Sequence, residues 1–235
     1  MRITILTIFP EIMESYWHSP VIQRCIDKEL LSLKTVDIKE YAKGSFRHID
    51  DSPYGGGAGM ILKCQPVIDA LRENQHDNSH VIGLVPIGKP FTQKKAHELS
   101  GKEDLILISG HYEGMDARIY DECDELISVG DYILTGGEIP AMILVDSVAR
   151  LLEGALRKES TEEESFEDGL LEYPQYTKPR EFEGKKVPEV LLTGDHEKIR
   201  KWRLKQSLLI TKNNRPDLFA KRKLKKEEEE LINDK

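Results

Sequence analysis

Short runs of aliphatic and β-branched residues, Ile3 to Ile8, Thr35 to Ile38, Val81 to Val85, Leu105 to Ile108 and Leu126 to Val129, punctuate the chain. Between them lie helical patterns at Glu11 to Leu31, Gln65 to Glu73, Thr92 to Leu99 and Ile139 to Leu152. A short continuous apolar run reads as a strand buried on both faces, and a sheet built of such strands needs helices to cover it. The alternation therefore predicts an α/β domain with a mainly parallel sheet. Ligands of such sheets collect at the carboxyl ends of the strands, so the loops are where chemistry is expected.

Glycine is concentrated in those loops: "DSPYGGGAGM" (51 to 60), "LVPIGKP" (84 to 90), "LISGHYEGMD" (107 to 116) and "VGDYILTGGEIPAMIL" (129 to 144), the last three each following a strand. Any one of them serves as well for a tight turn as for a ligand; the three strand-end loops together favour one pocket. The stretch 129 to 137 has no lysine, cysteine or histidine. It offers mainly backbone N–H and C=O groups, which suit an uncharged edge such as adenine. A G-x-x-x-x-G-K-[ST] loop is absent, and no G-x-G-x-x-G opens a helix after a strand, which disfavours ATP hydrolysis and a nicotinamide-dependent oxidoreductase.

A chain of 235 residues is long enough for one large domain and a small one. No apolar run approaches the roughly 20 residues that span a bilayer, and the start, broken at Pro10, lacks the features of a secretory signal. Cys25, Cys64 and Cys123 are widely spaced and form no C-x-x-C pair. The expectation is a cytoplasmic protein without a membrane partner.

The net charge of −8 argues against nucleic acid only as an average. Residues 175 to 226 hold 16 Lys and Arg against 6 Asp and Glu, whereas 158 to 172 hold 7 acids and one base. The predicted organisation is a ligand-binding domain over 1–157, a mobile acidic connector over 158–174, and a small helical, basic domain over 175–235 ending in a frayed tail. A helical stripe through Ile199, Trp202, Leu204 and Leu209 anchors the last. His48, His97, His111 and His196 do not share a metal-ligand spacing, and no metal site is read.

The segments "DDSPYGGGAGM" (50 to 60), "GHYEGMDARI" (110 to 119), "VGDYILTGGEIPAMILVDSVAR" (129 to 150), "SFEDGLLEYPQYTKP" (165 to 179) and "VPEVLLTGDHEKIRKWR" (187 to 203) together resemble the bacterial tRNA (guanine-N1)-methyltransferase family. The resemblance runs from Met1 to about Trp202. It implies a deep trefoil knot near the carboxyl ends of the strands, a topology that connection rules would otherwise exclude. It also implies a homodimer, with S-adenosylmethionine in the knot of one subunit and the acceptor site completed by the other. The activity implied is methylation of N1 of guanosine-37, just 3′ of the tRNA anticodon, in support of reading-frame maintenance. Magnesium is linked to the family's activity, without a site identified here.

Carried over residue by residue, the resemblance implies that Val129, Gly130, Asp131, Tyr132, Ile133 and Leu134 run along S-adenosylmethionine. Gly110, Gly136, Gly137 and Pro140 would shape the neighbouring loops, with Pro86 and Glu113 lining the same pocket. Arg150 matches the arginine expected to stabilise charge on guanine O6. At the general base the chain departs from the family pattern, because Glu164 stands where an aspartate usually precedes Ser-Phe; Asp168 is a rival for that role. "LLEGALRKES" (151 to 160) also replaces a proline-glycine turn. The departure at the base keeps open an alternative, a non-catalytic tRNA-binding module on the same fold. Lys185, Lys186, Lys198, Arg200, Lys201, Arg203 and Lys205 are candidate RNA contacts.

Overall fold

The computed structural model describes residues 1–157, 161 and 163–233, and the chain divides into two compact units between Arg157 and Lys158. The first unit contains β1 (Arg2–Thr7), α1 (Pro10–Trp17), α2 (Pro20–Asp27), β2 (Ser32–Asp37), β3 (Asp50–Asp51), β4 (Ile61–Leu62), α3 (Cys64–Asn74), β5 (Ser79–Pro90), α4 (Gln93–Ser100), β6 (Asp104–Ser109), β7 (Glu125–Ser128) and α5 (Glu138–Ala149).

Its main sheet has the strand order β2-β1-β6-β5-β7, and every pairing in it is parallel. Because side chains alternate across a strand, Ile3, Ile5, Leu105 and Leu107 enter one core with Met13, Ile22, Leu144 and Val148. Leu6, Ile106 and Ile108 enter a second core with Val67, Ile68 and Leu71 of α3. Burial on both faces explains why these strands read as unbroken apolar runs rather than alternating ones.

The predicted helix over Glu11 to Leu31 is instead two, α1 and α2. Pro20 cannot donate a backbone hydrogen bond and its ring obstructs the preceding turn, so the chain breaks at His18 and Ser19 and restarts with Pro20 in the first turn of α2. Strand β5 is longer than the predicted Val81 to Val85. It pairs with β7 through Leu84, bulges, and pairs again from Lys89, so that both Leu84 and Lys89 face Ile127. Gly88 permits this return, since a Cβ there would lie 2.4–2.5 Å from backbone atoms of Leu126 and Ile127.

The second unit carries β8 (Glu181–Phe182), β9 (Lys185–Lys186), α6 (His196–Asn214), α7 (Pro216–Phe219) and α8 (Lys226–Asn233). Three features differ from the sequence expectation. The basic unit is not purely helical: β8 and β9 form a hairpin whose turn residues, Glu183 and Gly184, both have positive φ, 51° and 77°, the geometry that suits a two-residue hairpin. The tail carries a helix, α8, which buries Glu228. Within the acidic stretch, the described residues from Glu163 onward include the buried Leu170, and Leu171 N–H donates to Thr211 Oγ1 of α6 at 2.8 Å. Lys158, Glu159, Ser160 and Glu162 of that stretch lie outside the described residues. Among the described residues no helix is long and apolar enough to cross a membrane.

Candidate active site

A cavity of about 510 Å³ opens at the carboxyl ends of β5, β6 and β7. That lies within the roughly 300–1,000 Å³ usual for a small-molecule site. Its walls are the loops singled out in the sequence: Val85 to Ile87 from the β5 bulge, Gly110 to Met115 after β6, and Val129 to Gly137, apart from Asp131, after β7. Pro86, Gly110, Glu113, Val129, Gly130, Tyr132, Ile133, Leu134, Gly136, Gly137 and Pro140 all line it; Asp131 is exposed and does not.

The loops are locked to one another through backbone. Gly137 N–H donates to Gly110 C=O at 2.7 Å, and His111 and Gly136 form an antiparallel bridge. A Cβ on Gly137 would stand 2.6 Å from Ser109 Cα and 2.8 Å from Gly110 N, so the start of α5 touches the end of β6 with no room for a side chain. On the outer wall, the Tyr132 hydroxyl donates to Val129 C=O at 3.2 Å. Glu113 N–H donates to Met60 C=O at 3.0 Å, fastening the loop after β6 to the glycine-rich segment before β4.

Glu138, which begins α5, is a feature the sequence reading missed. It is buried, accepts a 2.6 Å hydrogen bond from the Thr7 hydroxyl, and has His111 Nδ1 3.8 Å from its second oxygen. A carboxylate at a helix N-terminus is favoured by the helix dipole; its place directly after a glycine pair at a helix start was the available signal. Thr7 Oγ1 in turn accepts Phe9 N–H at 3.0 Å, so this network ties the end of β1 to the start of α5, beside Gly137 of the cavity wall.

Arg150 caps the other end of α5 and does not line the cavity. Glu164 and Asp168 belong to the second unit, where they border a cavity of about 470 Å³ together with Tyr173, His196, Arg200 and Arg203. Asp168 is committed: its Oδ1 accepts Leu170 N–H at 3.2 Å and its Oδ2 lies 3.2 Å from Arg222 Nη2. Glu163 accepts from the Tyr173 hydroxyl at 2.5 Å, and burial together with that carboxylate pushes the Tyr173 phenol up to about 12.

A further cavity of about 620 Å³ in the same unit is lined by Tyr173, Tyr176, Lys178, Arg180, Trp202 and Arg203, among others. The Arg203 guanidinium sits 4.7 Å from the Tyr173 ring centre. Several of the candidate RNA contacts meet acids: Lys198 meets Asp195 at 3.1 Å, Lys201 meets Glu197 at 3.5 Å, Lys186 meets Glu181 at 3.8 Å, and Arg200 is shared by Glu197 and Glu227. Pairs this exposed cost little to open in favour of a phosphate. Among the described residues no group of three or more His, Cys, Asp or Glu could hold a metal ion.

A parallel α/β unit with a backbone-lined cavity at its strand ends, in one chain with a basic and aromatic second unit, is a combination suited to a class of proteins that bind a small molecule and act on nucleic acid. Residues 1–221 match the family model described as tRNA (Guanine-1)-methyltransferase TrmD. A tRNA (guanine-N(1)-)-methyltransferase of Clostridium perfringens is 52% identical over 237 residues, covering 100% of both chains. One of Clostridium botulinum is 50% identical over 236 residues, covering 100% of this chain and 98% of that one. The chain belongs to the tRNA (guanine-N1)-methyltransferase family.

Proposed function

We propose that this chain methylates N1 of guanosine-37 in tRNA, as a homodimer with S-adenosylmethionine as donor. The observation that carries the reading is the cavity at the ends of β5, β6 and β7, walled by three glycine loops whose backbone groups suit adenine and ribose. Bound there, S-adenosylmethionine supplies a methyl group made electrophilic by its sulfonium. The reading includes a trefoil knot around that cavity.

The acceptor chemistry is set by guanine. N1 carries a proton near neutral pH, so it must lose that proton as it attacks. In the step proposed, the N1–C bond forms and the C–S bond breaks, with its electron pair going to sulfur, while the N1 proton passes to the Glu164 carboxylate. Arg150 stabilises the charge that develops on O6. Asp168 is the rival for the base, four residues beyond the position immediately before Ser-Phe that Glu164 holds, and its carboxylate accepts Leu170 N–H and meets Arg222.

The homodimer is part of the same reading. Along α5, a rise of about 1.5 Å per residue puts Arg150 roughly 15 Å from Pro140, at the end of the helix away from the cavity wall. In the dimer proposed, Arg150 serves the cavity of the partner subunit. Ile133 and Ile139, 82% and 48% exposed, supply apolar surface for such an interface. The rings and bases of the second unit, Tyr176, Trp202, Lys178 and Arg180, suit an RNA whose target base has left its stack. A magnesium site is not assigned, and no part of the step runs through the ion.

Single-turnover methylation of a tRNA transcript with guanosine at position 37 tests the reading, comparing the unaltered chain with Glu164→Ala and Asp168→Asn. Glu164→Ala is expected to slow transfer by about 10²-fold or more and Asp168→Asn far less. Binding of cofactor and tRNA with no transfer by the unaltered chain would leave only a binding module.

A further inference from the structure

We propose that Arg222 is a positioning residue for methyl transfer, holding the turn that carries Glu164, and that α8 keeps Arg222 in place through Glu228. This rests on the assignment of Glu164 as the general base. Arg222 is the first residue beyond the 1–221 matched by the family model, and α8 lies beyond it as well.

The turn after Glu164 has an unfavourable backbone. Phe166 has φ 76°, and a bulky L residue enters the left-handed region only when its surroundings require it. Inside the turn, Glu167 N–H donates to Glu164 C=O at 3.3 Å, and Phe166 N–H donates to Leu170 C=O at 2.7 Å. These bonds, with that of Leu170 N–H to Asp168 Oδ1, shape the turn, and Leu171 N–H ties its far end to Thr211 of α6, while the backbone carbonyl at its crest, Asp168 C=O, faces Arg222.

Arg222 adds an anchor at the crest itself. Its Nη1 donates to Asp168 C=O at 2.7 Å and its Nη2 to Asp168 Oδ2 at 3.2 Å, while Nη2 and Nε reach Glu228 Oε1 and Oε2 at 2.7 and 3.3 Å. The Arg222 side chain is only 14% exposed and that of Glu228 3%. Glu228 also accepts Lys225 N–H at 3.0 Å, and its bond from Arg222 holds its carboxyl below the ordinary range. A guanidinium has five donors in a planar fork, so one side chain grips a carbonyl and two carboxylates together; an ammonium cannot reproduce that geometry. Nothing else in the reaction as proposed uses this largely covered group. Its evident work is to fix the turn four residues from the base.

The test is a double-mutant cycle read by single-turnover methylation at saturating cofactor and tRNA, with Arg222→Ala made alone and in a Glu164→Ala background. Arg222→Ala is expected to slow transfer about 10-fold, with tRNA and S-adenosylmethionine dissociation constants within about 3-fold of the unaltered chain. In the Glu164→Ala background the same change is expected to cost less than about 2-fold, because a residue acting through another has nothing left to position. Arg222→Lys should not rescue the rate. Glu228→Gln, which keeps shape and acceptor but removes charge, should give an intermediate loss, and it carries the test if Arg222→Ala does not fold. Equal slowing in both backgrounds, a loss of tRNA affinity that matches the loss of rate, or no slowing at all would overturn the proposal. A Glu164→Ala chain of normal rate would instead overturn the assignment of the base, and the proposal with it.

Discussion

Gly101 and Gly137 offer a matched pair for testing how the cavity is built. They have nearly the same backbone conformation, φ −83° with ψ −3° and φ −83° with ψ −1°, so replacing either by alanine restricts the unfolded chain alike. Where the new methyl group has room, that restriction stabilises a protein by about 0.4–1 kcal/mol. At Gly101 the nearest atom to an added Cβ is Glu98 C=O at 3.5 Å, an ordinary contact. At Gly137 the Cβ would lie 2.6, 2.8 and 3.0 Å from backbone atoms of Ser109 and Gly110, none of which can swing aside as a side chain can. Relief requires the start of α5 to move away from β6, against the 2.7 Å bond between Gly137 N–H and Gly110 C=O. Overpacking of this kind costs about 1–3 kcal/mol, and because the unfolded-state restriction is common to both variants, Gly137→Ala should be less stable than Gly101→Ala by about 1–3 kcal/mol. In thermal unfolding, a loss of about 2 kcal/mol lowers the midpoint by about 4–8 °C. Because Gly110, Gly136 and Gly137 all line the cavity, calorimetric titration with S-adenosylmethionine should show at least about tenfold weaker binding for Gly137→Ala and none of that loss for Gly101→Ala. Equal midpoints and equal affinities in the two variants would refute the close-approach reasoning.

Other expectations follow from the same geometry. Thr7→Val removes the donor to buried Glu138 and should destabilise the first unit by about 1–3 kcal/mol in urea unfolding, whereas Thr7→Ser should keep most of the loss from appearing. Acid should weaken both units. Burial alone would raise the carboxyl of Asp104, but bonds from Arg2 and Ser79 outweigh it and hold it low; burial of Glu125 is likewise outweighed by His80 and Lys95, and Glu228 is held low by Arg222. These groups bind fewer protons folded than unfolded, so their contribution is complete above about pH 4.3. It is lost as the pH falls through their lowered folded-state values; a melting temperature unchanged from pH 7 to pH 3 would contradict this. Lys185→Ala with Lys186→Ala should weaken tRNA binding and flatten its dependence on salt by about one to two log units per log unit of salt, while S-adenosylmethionine affinity stays unchanged.

Much of the first unit was legible because its strands are buried on both faces, and such burial writes itself into the sequence as short apolar runs. The starts of the loops were legible for the same reason: where a run stops and glycine begins, a parallel sheet exposes its carboxyl edge. The break at Pro20 is equally local, since a missing N–H acts on its own turn, yet the apolar pattern on either side concealed it. The return of β5 past Gly88 was not legible. A glycine in "LVPIGKP" is compatible with any turn, and only the backbone of Leu126 and Ile127 passing 2.4–2.5 Å from where a Cβ would be says why it is there.

The chain by itself determined the alternation of strands and helices, the glycine loops at the strand ends, and the charge contrast between its two units. Those properties depend on residues near one another in sequence, through pleat, helical period and backbone freedom. Only the tertiary structure decided which loops share a cavity, that Glu138 is buried against Thr7 and His111, and that Asp168 is already held by Arg222. Each of those facts joins groups distant along the chain. A side chain's local sequence says what it can bond, and packing decides which partner it meets and whether water is left to compete.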